Sequence, residues 1–216
     1  MTEYVRVPVV LTCNSDTIIK TILREKLDNL FVDKDGKAEC QWQGVECPLR
    51  ILIVNTQNMV TATAYDYAAF DVVLVIGNGN TNQQKTRKVP NLVYVQDEGT
   101  GVNFFLMLHA TCNSMHLVSY DISDLLPYAS SVLHSIYTEH YEELTAFARR
   151  WGTELSDSQM LVLVSLDYDS RNYFSFSEAV LQLLDTFDDQ KYSVLVAENY
   201  NEQEEKRYYQ GFVMQD

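Results

Sequence analysis

Glycines, a threonine and carboxylates come together once in this chain, in Asp97-Glu98-Gly99-Thr100-Gly101-Val102-Asn103. Glycines let backbone amides crowd round an anion, and the apolar run that follows Val102 reads as a helix whose free N–H groups favour negative charge. Gly99, Thr100, Gly101 and Asn103 are therefore the candidate ligand-binding residues. The competing reading of the same residues is a glycine-rich turn and helix cap. Gly77-Asn78-Gly79-Asn80 also follows an apolar strand, where open α/β sheets place ligands, but it lacks a full G-x-G-x-x-G and a following helix. His109, His116, His134 and His140 include no pair at the i, i+4 spacing of a helical metal site, and Ser119 and Ser165 lack nucleophile-elbow glycines. The sequence assigns no catalytic residue and no metal ligand.

The other loop of interest lies in Val7–Leu23, which reads as strand, tight turn and helix. Val7, Val9, Val10 and Leu11 form an apolar run, and Ile18, Ile19, Ile22 and Leu23 follow at helical spacing. Between them, Thr12-Cys13-Asn14-Ser15-Asp16 has neither the glycines nor the Lys-Ser/Thr pair of a phosphate-cradling loop. Asp16, or Ser15 beside it, caps the helix and fills the electrostatic position a phosphate would take. The expectation is that no nucleotide cofactor binds here.

Composition narrows the function classes. The chain has 216 residues and a formal net charge of −14, from 16 basic and 30 acidic side chains. Such a balance argues against a nucleic-acid or anionic-membrane surface. Residues 151–216 alone carry 13 acidic and 4 basic residues, which reads first as a plain solvated surface, with contact to a basic partner as the competing reading. Tyr168, Tyr173, Tyr200, Tyr208 and Tyr209, crowded there, read either as an interface or as half-buried strand residues. Cys13, Cys40, Cys47 and Cys112 form no C-x-x-C pair and have no histidine at zinc-finger spacing, so reduced thiols in a cytoplasmic protein are expected. No apolar run approaches the roughly 20 residues that span a bilayer, and MTEYVRVP is too polar for a signal peptide.

The elements that must position these residues follow from periodicity. A first helix ends near Leu30. Ala38–Val45 alternates like an edge strand, and Leu49–Asn55 reads as its interior neighbour, antiparallel because the link is short. A short helix is expected over Asn58–Ala69, strands over Phe70–Ile76 and Leu92–Gln96, a helix over Val102–Cys112 and a strand over His116–Tyr120. Apolar residues recur from Leu125 to Trp151 at three and four residues, which predicts one long amphipathic helix stopped by Gly152. Met160–Leu166, a helix capped by Ser175 and Glu178, and a terminal hairpin of Tyr192–Ala197 and Arg207–Met214 complete the chain. The expected fold is α/β: a mixed, mostly parallel sheet of GTPase-like (P-loop NTPase-like) topology over residues 1–152, with a small C-terminal α/β extension over 153–216.

This order is close to that of Ras-like GTPases, yet the chemistry is missing at three places. The first loop lacks the phosphate motif, Asn55-Thr56-Gln57-Asn58 stands where that family carries Asp-x-x-Gly, and Gln96-Asp97-Glu98-Gly99 stands where it reads guanine. Asn55 leaves no carboxylate to hold a metal. Leu11-Thr12-Cys13-Asn14-Ser15 with Ile18 to Leu23, Val60-Thr61-Ala62 ahead of Asp71-Val72-Val73, and Leu117-Val118-Ser119 followed by Asp124-Leu125-Leu126-Pro127 resemble the pseudo-GTPase domain of the α- and γ-adaptin-binding protein family over about the first 130 residues. That resemblance implies a non-catalytic protein binding another protein, an adaptor-complex subunit, in clathrin-adaptor assembly or vesicle trafficking. The family's disordered linker and helical C-terminal region have no counterpart in residues 153–216, which read as folded and strand-rich.

The competing class is a small-molecule or nucleotide-handling enzyme using Gly99–Asn103. The stretch also resembles the Asp-x-Gly-Thr-x-x-Glu of nucleoside deoxyribosyltransferases, with Asn103 in place of the nucleophilic Glu. A carboxamide cannot attack as a carboxylate does.

Overall fold

The computed structural model describes residues 7–27, 29–33, 48–55, 66–77, 92–113, 132–138, 140–153, 160–168, 178, 181–182, 185, 192–200 and 208–215. Described residues up to 113 form one compact unit, and those from 132 onward form another.

The first unit is a parallel sheet. Its strands are β1 (Val9–Cys13), β2 (Leu30–Asp33), β3 (Leu49–Asn55), β4 (Val72–Ile76) and β5 (Leu92–Val95), in the spatial order β2-β1-β3-β4-β5 with every pairing parallel. All five residues of β1 and of β4 are buried, which is why these strands read as continuous apolar runs rather than alternating ones: a parallel sheet is covered on both faces. Helix α1 (Asp16–Arg24) buries Ile18, Ile19 and Ile22. Helix α2 (Glu98–Asn113) packs beside it, burying Phe104, Phe105, Met107 and Leu108. On the opposite sheet face Leu52, Val54, Val73, Val75 and Leu92 cluster with Phe70, and Tyr67 and Tyr94 pack against them.

Several expectations change in this unit. Helix α1 stops at Arg24, six residues short of Leu30, because Lys26 (φ 46°) and Asn29 (φ 57°) take the left-handed conformation that ends a helix. Leu30–Asp33 is then free to pair with β1 as an edge strand. Leu49–Asn55 lies parallel between β1 and β4, and its expected antiparallel partner Ala38–Val45 falls outside the described residues. Of the helix expected over Asn58–Ala69, the described part is a single 3-10 turn, Tyr67–Ala69, capped by the Asp66 side chain. His116–Tyr120 also lies outside the described residues.

The second unit holds β6 (Val132–Thr138), helix α3 (Tyr141–Thr153), β7 (Met160–Tyr168), β8 (Tyr192–Tyr200) and β9 (Tyr208–Gln215). Its strand order is β6-β9-β7-β8, with β9 antiparallel to both neighbours and β7 parallel to β8. The long helix expected from Leu125 to Trp151 is replaced, from 132 onward, by a strand and a shorter helix. Val132, Ile136, Tyr137 and Thr138 are β-branched or aromatic, and their strand preference outweighs an apolar spacing that also fits a helix. The expected terminal hairpin is also revised: β8 and β9 do not pair with each other, since β7 lies between them. Helix α3 starts where the Thr138 hydroxyl donates to Glu143 and accepts from the His140 backbone N–H. It then packs Leu144 over Gly211 of β9.

Candidate functional site

Strand order β2-β1-β3-β4-β5 means that the chain leaves β1 toward β2 on one side and returns to place β3 on the other. The carboxyl ends of β1 and β3 therefore flank a topological switch point, where open α/β sheets leave a crevice for ligands. Three polar residues meet there from three elements. Asn14 follows β1, Asn55 ends β3, and Glu98 opens α2.

The Asn14 side chain clasps the backbone of Asn55. Its Oδ1 accepts from the Asn55 N–H at 2.8 Å and its Nδ2 donates to the Asn55 carbonyl at 3.5 Å. The Asn55 side chain, in turn, donates from Nδ2 to Glu98 Oε1 at 2.7 Å. Asn55 is buried, so this bond is made where an unmet amide would be costly. By register, Asn55 shares a sheet face with Ile76 and Val95, which is the face α2 covers.

Ser15 caps α1, its Oγ accepting from the Ile18 N–H at 3.4 Å, with Asp16 in the first helical turn. Between the two possible caps the structure selects Ser15. Cys13 is buried at the end of β1 and its Sγ accepts from the Ser15 N–H at 3.4 Å. Burial pushes the Cys13 thiol up to about 11; the hydrogen bond with Ser15 opposes this, and the carboxylates of Glu98 and Asp16 add to it. Both carboxylates thus act electrostatically on the end of β1.

The residues singled out from sequence are placed differently from expectation. Helix α2 begins at Glu98, four residues before Val102, so Gly99, Thr100, Gly101 and Asn103 form its first turns and not a loop. Asp97 is the reason: its Oδ1 accepts from the Thr100 N–H and its Oδ2 from the Thr100 hydroxyl, both at 2.8 Å, which closes the helix start early. Gly101 is needed for close approach. A Cβ there would lie 2.6 Å from Ile76 Cδ1, so the glycine lets α2 press onto β4. Asn103 is exposed on the helix. Gly77, with φ 132°, turns the chain at the end of β4 while its N–H holds the Val95 carbonyl at 3.0 Å; Asn78, Gly79 and Asn80 lie outside the described residues.

Sequence reading missed the role of Glu98. It found no carboxylate at the end of β3, yet Glu98, 43 residues further along the chain, supplies one directly against Asn55. The available signal was that both positions lie at strand-to-loop boundaries on the carboxyl edge of a parallel sheet. Among the described residues, no group of three His, Cys, Asp or Glu side chains is arranged to hold a metal ion.

No family model and no curated protein matches the chain. Solved structures do. The chain is similar to an empty FtsZ dimer from M. jannaschii, with a TM-score of 0.63 and 8% identity over 99% of this chain and 89% of that one. It is also similar to a single-substitution FtsZ mutant from the same organism, with a TM-score of 0.56 and 8% identity over 98% and 91%. At this identity the likeness establishes the fold: α/β, mostly parallel, of FtsZ/tubulin type. It replaces the resemblance to the adaptin-binding family, together with the pseudo-GTPase, adaptor-binding and trafficking role that resemblance implied. That resemblance rested on core and turn residues in about the first 130 positions, whereas the FtsZ likeness extends over both units. The deoxyribosyltransferase-like alternative built on Gly99–Asn103 falls with it, since those residues are helical.

Proposed function

We propose that the chain is an FtsZ/tubulin-like protein that binds a nucleoside phosphate, as its magnesium complex, in the crevice at the carboxyl ends of β1, β3, β4 and β5. The observation that carries this reading is the Asn14–Asn55–Glu98 cluster standing at the β1/β3 switch point. A guanine nucleotide is the first candidate, because the fold neighbours are of the FtsZ/tubulin GTPase kind. The residues fit such a ligand on one condition. Asp16, Asp97 and Glu98 are carboxylates, and a free polyphosphate beside them would be repelled; a bound magnesium ion offsets that charge. The ion would come with the nucleotide, which is how magnesium is commonly held in phosphate sites. Asn14 and Asn55 supply amide groups suited to fixing the ligand's orientation. We place the protein in the cytoplasm, in keeping with Cys13 and Cys112 being thiols outside any disulfide. No helix among the described residues is long and apolar enough to cross a membrane.

Titration calorimetry of the full chain with GTP, GDP and ATP, each with magnesium and with EDTA, tests the proposal. The expected result is guanine-nucleotide binding with a Kd of about 1–100 μM, equivalent to roughly 5–8 kcal/mol, that weakens about a hundredfold in EDTA. No binding heat with any magnesium nucleotide would overturn it.

A further inference from the structure

The last backbone hydrogen bond between β1 and β3 runs from Asn14 N to the Ile53 carbonyl at 3.4 Å. Beyond it, β1 has turned into α1, and the paired register with β3, which ends at Cys13 and Ile53, leaves a gap before Asn55. Asn14 fills that gap with its side chain. One carboxamide carries both an acceptor and a donor, so it stands in for a peptide group and meets both the N–H and the carbonyl of Asn55. The backbone of Asn55 is thereby fixed relative to β1, and its side chain is in place to hold Glu98 at 2.7 Å.

We propose that Asn14 is a positioning residue of the ligand crevice, acting through Asn55 on the Glu98 carboxylate. The inference rests on the nucleotide reading above and adds to it: Glu98, held in one place, sets how strongly the crevice prefers a magnesium nucleotide to a free one. A serine at 14 is too short to bridge to both groups of Asn55, and an aspartate would set an oxygen against the Asn55 carbonyl. Loosening Asn55 frees Glu98 to swing into solvent, which removes its repulsion of the bare phosphate.

The test is a double-mutant cycle on the full chain, using Asn14→Ser, Glu98→Gln and the pair, with GTP affinity measured in magnesium and in EDTA. The ratio of the two affinities is the readout, because a general loss of structure lowers both and leaves the ratio alone. The expected result is a ratio reduced about tenfold by either single change and no further by the pair, since residues acting as one unit are not additive. A ratio unmoved by Asn14→Ser, or a pair reduced about a hundredfold, overturns the inference while leaving nucleotide binding intact. Wild-type protein that binds no nucleotide overturns the reading beneath it. Should Asn14→Ser fail to fold, Asn55→Ser breaks the same relay at its middle with the same expected ratio.

Discussion

Thr12 and Cys13 stand side by side near the end of β1 and face opposite ways. By register Cys13 pairs with Ile53, on the helix-covered face, while Thr12 pairs with Leu52 on the other. Thr12 is fully buried, and among the described residues its Oγ1 meets no hydrogen-bond partner. An unmet buried hydroxyl costs free energy that a methyl of the same shape does not, so Thr12→Val is expected to raise stability by about 1 kcal/mol, read as a higher urea midpoint with unchanged slope. A midpoint lowered by the change would mean that the hydroxyl is satisfied. Cys13 gives a pH-dependent counterpart. Its folded pKa of about 11 lies above the ordinary value of 9.0. Its contribution is therefore complete below pH 9 and is lost as pH rises toward 11. Two results are expected: alkylation of Cys13 at neutral pH proceeds only as fast as the protein unfolds, and Cys13→Ala flattens part of the loss of stability between pH 9 and 11. Tyr94, also raised, by burial and then by Tyr67, contributes in the same direction and is left untouched by that substitution.

At the scale of elements, turn chemistry decides where each helix begins and ends. Lys26 sits at φ 46° just past α1, and its N–H closes onto the Leu23 carbonyl at 3.3 Å. A lysine pays for that conformation and a glycine does not, although glycine loses more entropy on folding. Lys26→Gly is expected to stabilise the protein by about 0.5–1 kcal/mol, seen as a higher Tm; a lower Tm would show that the turn is not strained. The second unit offers the opposite case. A Cβ at Gly211 would fall 2.5 Å from Leu144 Cδ1 and 3.0 Å from Ile136 Cγ2, so Gly211→Ala is expected to cost roughly 1–3 kcal/mol by forcing α3 away from β9. Unchanged stability would contradict that packing. These elements also mark what the sequence made legible. Strands β1, β3, β4 and β5 were readable because burial of nearly every position on both faces leaves a near-continuous apolar run. Strand β6 was not, because Val132, Ile136 and neighbouring apolar residues satisfy the helical and the extended spacing alike. The end of α1 was not readable either, since nothing about Lys26 in the sequence announces a positive φ.

For the whole molecule, the decisive difference lies in what surrounds a shared core. A strand, helix and parallel-strand order at the amino end suits several α/β folds, and testing it against Ras-like motifs led to an inactive member of that group. Three observed features point elsewhere: β2 is parallel to β1, residues from 132 onward build a second unit, and the FtsZ likeness spans nearly the entire chain. The candidate site shows the same limit of linear reading. Gly99 to Gly101 drew attention as a loop and proved to be the start of a helix, whereas Asn14, Asn55 and Glu98 carry no shared motif and meet only because parallel strands align their carboxyl ends.

Hydrogen–deuterium exchange of the full chain, with and without GTP and magnesium, addresses the location of the ligand most directly. The account predicts slowed exchange at residues 13–16, 55, 76–77 and 97–100, with the rest of the described first unit little changed. Binding accompanied by protection confined to the second unit, or no protection at the carboxyl ends of β1 and β3, would contradict it.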